Sequence, residues 1–139
     1  MAVDAADLGA IQLFSSLSES DLEQLAAWFD TRMASEGVQL TGEGAPGYSF
    51  FVLAEGEAVV SSSGTQIATL GPGDFFGEMA ILGDGRRKAT VTTTTPARLF
   101  FMFGTAFRRL QQGQPEIAQR LEAAMVRRQA EIEQHQAAP

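Results

Sequence analysis

The residues with most chemistry to offer lie in one glycine-rich run, GPGDFFGEMAILGDGRRKATV, residues 71–91. Gly77 permits close approach of backbone to a ligand, and a helical turn over Glu78–Leu82 can begin directly after it. The start of such a turn presents free N–H groups and the positive end of a dipole, which together suit an anion. Gly83 and Gly85 then reverse the chain, so that Arg87 returns toward the same place at the start of a strand. A guanidinium and a cluster of backbone N–H groups would thus converge on one phosphate. Glu78 would be repelled by bare inorganic phosphate. It makes sense if the ligand also carries a hydroxyl donor, such as a ribose 2′-OH. The plainer alternative is that Glu78 and Arg87 form an ion pair on a turn, and their spacing alone leaves both readings open.

Elements on either side must hold this run in place. In LSESDLEQLAAWF, Ser18 is a good helix N-cap with Asp21 three residues on, and Leu17 and Leu22 sit at staple positions around it. Leu22, Leu25, Ala26 and Phe29 follow the spacing of one buried helical face, and Leu13, Phe14 and Leu17 anchor a preceding short helix to the same core. From Gly37 the chain breaks into short runs rich in Val, Phe, Thr and Ile, punctuated by glycine. Phe50–Leu53, Glu57–Ser61, Thr65–Leu70, Lys88–Thr94 and Arg98–Phe103 are the expected strands. Such spacing points to a sandwich, barrel or jelly roll rather than an α/β sheet. Helix returns over Gly104–Gln112, with Phe107 and Leu110 on one side. Pro115 opens a last helix whose apolar stripe is Ile117, Leu121, Met125 and Ile132 with Ala118 and Ala124. The polar end, Gln134–Pro139, is expected to fray.

Composition removes several function classes. A length of 139 residues with 45% hydrophobic residues suits one domain with an ample core. The net charge of −7 argues against binding nucleic acid or an anionic membrane as a unit. No apolar run is long enough to span a bilayer and the N-terminus has no signal-peptide pattern, so a cytoplasmic place is expected. The chain has no cysteine, which excludes disulfides and thiol nucleophiles. Its one histidine, His135, has no partner for a triad or a metal set, so neither catalysis nor a bound metal is expected. Glu55 and Glu57 alternate outward along a strand and read as solvated. Arg108–Arg109 and Arg127–Arg128 likewise read as solvated faces. Gly42–Gly47 matches G-x-G-x-x-G, but the strand-forming Ser49–Leu53 follows where that fingerprint needs a helix, so it reads as a turn.

The order of motifs resembles the cyclic nucleotide-binding domain family. Phe76-Gly77-Glu78-Met79-Ala80-Ile81-Leu82, then Arg87-Lys88-Ala89-Thr90-Val91 at the family's interval, is similar to its phosphate-binding cassette. Leu13-Phe14 and Leu17, the turn glycines Gly37 and Gly44, Phe50–Gly56, Gly73-Asp74, and Phe107, Pro115, Leu121 and Arg127 extend the likeness over nearly the whole chain. The resemblance implies a mainly β domain with flanking helices. Its centre would be a β-jelly-roll (double-stranded β-helix) barrel, with an N-terminal helix, a short cassette helix and C-terminal helices. The expected division of the single domain 1–139 is helices in 1–35, the β-roll in 36–103 with the cassette at 75–91, and helices in 104–139.

The resemblance also implies roles. Glu78 would accept the ribose 2′-hydroxyl and Arg87 would pair with the cyclic phosphate. Backbone N–H groups near Ala80 and at Lys88 would complete the cradle, which takes in Phe76, Gly77 and Ala89. Val60, Ile67 and Met79 would wall base and sugar, the bland reading of these three being ordinary core. Arg86 stands where the family often has Pro, and spacing favours Arg87 as the phosphate ligand. Lys88 replaces a small residue of the family, and the absence of the threonine that members preferring cyclic GMP often carry there leans the ligand toward cyclic AMP, with cyclic GMP second and no other cofactor. The domain would be a non-catalytic sensor signalling by movement of the C-terminal helices to a second copy or to an effector protein. The alternative is a degenerate member kept as an interaction scaffold without ligand.

Overall fold

The computed structural model describes residues 3–41, 49–77 and 89–137, with 129 and 131–137 described by backbone alone. The chain opens with α1 (Ala5–Gly9), a 3-10 turn (Gln12–Phe14) and α2 (Glu19–Ala26). Eight strands follow among the described residues: β1 (Asp30–Ala34), β2 (Gln39–Thr41), β3 (Ser49–Glu55), β4 (Ala58–Ser62), β5 (Thr65–Leu70), β6 (Phe75–Phe76), β7 (Thr90–Thr93) and β8 (Ala97–Phe103). Two helices close the chain, α3 (Gly104–Gly113) and α4 (Pro115–Ala137).

The helix starts follow their local chemistry. Ser18 Oγ accepts from the Asp21 amide at 3.1 Å while Asp21 Oδ2 accepts from the Ser18 amide at 3.3 Å, a complete reciprocal cap. The strands form two antiparallel sheets. The first has the order β1-β8-β3-β6 and the second β2-β7-β4-β5.

At β3 and β8 the first sheet is covered on both faces, which is why β3 reads as an uninterrupted apolar run. Phe50, Val52, Phe100 and Met102 face the helices and pack with Leu8, Phe14, Leu25, Phe29, Phe107, Leu110, Leu121 and Met125. Their strand neighbours Phe51, Leu53 and Leu99 face the other way and meet Ala58 and Val91 of the second sheet, inside the roll. The expected stripe of α4 is buried at Ile117, Ala118, Leu121, Ala124 and Met125, while Ile132 lies where side chains are not described.

Several boundaries differ from expectation. The segment 1–35 is not purely helical, because β1 lies inside it and pairs along β8 from Asp30↔Phe101 to Ala34↔Ala97. The strands β2 and β6 carried no sequence expectation, and β7 is shorter than the 88–94 expected. The last helix continues past Gln134 to Ala137 instead of fraying there.

Polar side chains tie the two helical ends of the chain together. Trp28 Nε1 donates to Gln114 Oε1 at 3.0 Å, and Gln114 Nε2 donates in turn to Gln24 Oε1. Nearby, the Arg120 guanidinium pairs with the Asp21 carboxylate that caps α2.

Gly56 turns β3 into the next strand at φ +97°, and a Cβ there would lie 2.5 Å from the Pro96 carbonyl oxygen. Both the backbone strain and the clash act against any side chain. Gly56→Ala is expected to lower unfolding free energy by about 2–3 kcal/mol in urea titration.

Candidate functional site

The glycine-rich run is where the chain crosses from one sheet to the other. Its approach is a tight turn, Gly71–Asp74, with Pro72 second and Gly73 third at φ +94°, the signature of a type II turn. The Asp74 amide donates to the Gly71 carbonyl at 3.1 Å, and Asp74 Oδ2 accepts from the Gly71 amide at 2.8 Å. The Gly73 amide also donates to the Leu53 carbonyl at 2.7 Å, and Leu53 donates back to the Asp74 carbonyl at 2.8 Å, so the turn is stitched to β3.

From there β6 lies along β3, with Phe76 opposite Phe51. The two rings stack with centroids 5.0 Å apart, and Phe76 is buried. Gly77 follows at φ +75°, left-handed backbone that glycine takes without strain. Glu78, Met79, Ala80, Arg87 and Lys88 lie outside the described residues, as does the expected turn over 78–82.

The chain is described again from Ala89, half-buried, and enters β7 between β2 and β4. Val91 stands opposite both Thr41 of β2 and Val60 of β4. Thr41, buried, donates its hydroxyl to the Ala89 carbonyl at 3.2 Å. The run carrying Glu78 and Arg87 is therefore held at one end in the first sheet and at the other end in the second.

The two strand residues expected to wall a ligand part ways. Val60 is half-buried and packs against the core inside the roll. Ile67 is 61% exposed on β5, the edge strand, so it is not a core residue. It is also the extra residue of a bulge: Val60 pairs with Ala68 and Ser61 with Gln66, leaving Ile67 between them.

An aromatic row leads from this site to the C-terminal helices. Phe76 stacks on Phe51, Phe51 lies 6.3 Å from Phe101, and Phe101 meets Phe103 edge-on at 5.4 Å. Phe103 is the residue from which α3 starts. The contribution of Thr41 was invisible in sequence, since its partner is 48 residues away and threonine in a strand carries no mark of such a bond. The outward reading of Glu55 holds: its carboxylate, 65% exposed, pairs with Arg98 at 3.0 Å.

Asp74→Ala removes the carboxylate that accepts from Gly71 and is expected to lower stability by about 1 kcal/mol, read as a shift of the urea midpoint.

Comparison with known proteins agrees with this geometry. A sequence model described as the cyclic nucleotide-binding domain matches residues 32–114. The regulatory subunit of the cAMP-dependent protein kinase of Eremothecium gossypii is 38% identical over 104 residues, 74% of this chain and 23% of that protein. The chain thus spans about a quarter of the length of that relative. Among solved structures, a cyclic nucleotide-binding domain from Methylobacillus flagellatus superposes with a TM-score of 0.75 at 24% identity, covering 91% of this chain and 76% of that one. The catabolite activator protein of Thermus thermophilus gives 0.71 at 26% identity, covering 88% and 60%. With that match across most of the β-roll, the chain belongs to the cyclic nucleotide-binding domain family.

Proposed function

We propose that this chain is a non-catalytic sensor that takes up a cyclic nucleotide, cyclic AMP in preference to cyclic GMP, between its two sheets. The observation that carries this reading is the crossing at 77–89. Glu78 directly follows the left-handed Gly77, and Arg87 stands two residues before the anchored Ala89. In this reading Glu78 accepts the ribose 2′-hydroxyl and Arg87 pairs with the cyclic phosphate. The amides near Ala80 and at Lys88 close the cradle. Val60 and Ile67 offer apolar surface to base and sugar, and the exposure of Ile67 leaves its side chain available for that contact. The related regulatory subunit is named for its dependence on cyclic AMP, which supports the same choice of nucleotide.

Binding is expected to be passed on by α3 and α4 to an effector protein or a second copy of the chain. The aromatic row from Phe76 to Phe103 links the near end of the crossing, ring by ring, to the residue from which α3 starts, although Phe103 itself is 51% exposed. The nucleotide shifts the helices only by as much as it binds one arrangement better than the other.

Isothermal titration with cyclic AMP and cyclic GMP tests the reading. Arg87→Ala is expected to weaken binding at least about 30-fold, as loss of one partner of a desolvated charge pair does. A well-folded protein showing neither heat nor thermal stabilisation with either nucleotide would instead be a scaffold that has lost its ligand.

Movement of the helices has its own reporter. Trp28 is the chain's one tryptophan and is bonded to Gln114 at the α3–α4 joint. Saturation with the nucleotide is expected to shift Trp28 emission, and an unchanged spectrum on a bound protein would refute displacement of that joint.

A further inference from the structure

Outside the crossing, β7 is tied down by two threonine hydroxyls, one at each end. At its far end Thr93, 2% exposed, donates to the Ser35 carbonyl at 2.6 Å and accepts from the Val38 amide at 2.8 Å. That peg joins β7 to the turn between β1 and β2. At the near end is Thr41, bonded to the Ala89 carbonyl.

The near peg depends on a bulge. Gln39 pairs with Thr92 and Thr41 with Val91, so β2 advances two residues while β7 advances one. The extra residue, Leu40, breaks the period-two alternation of a strand. Two successive side chains are consequently turned from solvent: Leu40 packs against the core inside the roll, and Thr41 is 7% exposed. The pairing of β7 with β4 begins only at Thr90. The Thr41 hydroxyl thus fixes the chain one residue beyond the ladder, on the side toward Arg87.

We infer that Thr41 is a positioning residue for the nucleotide site, holding the Arg87–Ala89 arm at its root. This rests on the function proposed above. Arg87 lies two residues from the anchor, at most about 7 Å of extended chain. Loss of the bond removes one hold at the root of this arm, so more of the order that Arg87 needs must be supplied at binding. An anchored arm carries that ordering in advance. A hydroxyl that merely satisfied a buried carbonyl would contribute to folding and leave affinity alone, because a domain losing a single hydrogen bond stays almost wholly folded at room temperature.

The test uses Thr41→Val, Thr41→Ser and, as a comparator, Thr93→Val, each titrated with cyclic AMP well below its melting temperature. Thr41→Val is expected to bind about five- to tenfold more weakly than wild type, the effect of one hydrogen bond. Thr41→Ser should restore most of that loss. Thr93→Val should melt earlier yet bind like wild type. In ligand-free protein, amide exchange over 87–92 should accelerate in Thr41→Val and not in Thr41→Ser. Unchanged affinity in a folded Thr41→Val, or an equal loss in Thr93→Val, would overturn the inference. A wild-type protein that binds neither nucleotide would overturn the sensor reading itself, with the exchange result still reporting on the peg.

Discussion

Everything in this domain hangs on a single sheet that is buried on both sides. The pair β3 and β8 cannot present a polar face anywhere along its middle, because helices cover Phe50, Val52, Phe100 and Met102 while the roll encloses Phe51, Leu53 and Leu99. Burial of this kind is the largest favourable contribution to folding available to a chain of this size. It also divides the molecule into a helical side and the interior of the roll, which share one wall. Any shift of β3 or β8 is felt on both sides at once, since close-packed interiors transmit displacement instead of absorbing it.

The crossing between sheets exploits that division. Its first half is the short β6, whose Phe76 is stacked against the shared wall. Its second half is β7, which belongs to the opposite sheet and is gripped by β2 and β4. The segment between these two supports is thus held at both of its described ends, Gly77 and Ala89. In the proposed function this separates the requirements for folding, met by apolar residues in the strands, from those for recognition, assigned to Glu78 and Arg87.

How far the sequence foretells this varies with the range of the forces involved. The cap at Ser18 is legible because its partners lie three residues apart. The strand at Phe50–Leu53 is legible because both of its faces are apolar. The strand β1 is not: Asp30-Thr31-Arg32-Met33 carries no apolar run, Met33 is 64% exposed, and the segment is extended because β8 offers it a ladder. Strand β6 has only two residues, too few for any periodicity. For Glu78 and Arg87 the spacing leaves two readings open, and the family resemblance favours the proposed phosphate site over a plain ion pair. The exposure of Ile67 on an edge strand and the bulge that buries Thr41 depend on sheet order and register between strands, which no local pattern encodes.

The hydrogen bonds from Trp28 and Gln24 to Gln114, with the Asp21–Arg120 pair beside them, bear on how such a domain speaks to its surroundings. They rivet α2 to the joint between α3 and α4, elements some ninety residues apart in sequence. While the rivet holds, the opening and closing helices of the chain form one lever on the outer face of the shared wall. A displacement of α3 and α4 relative to α2 would therefore have to break these bonds first.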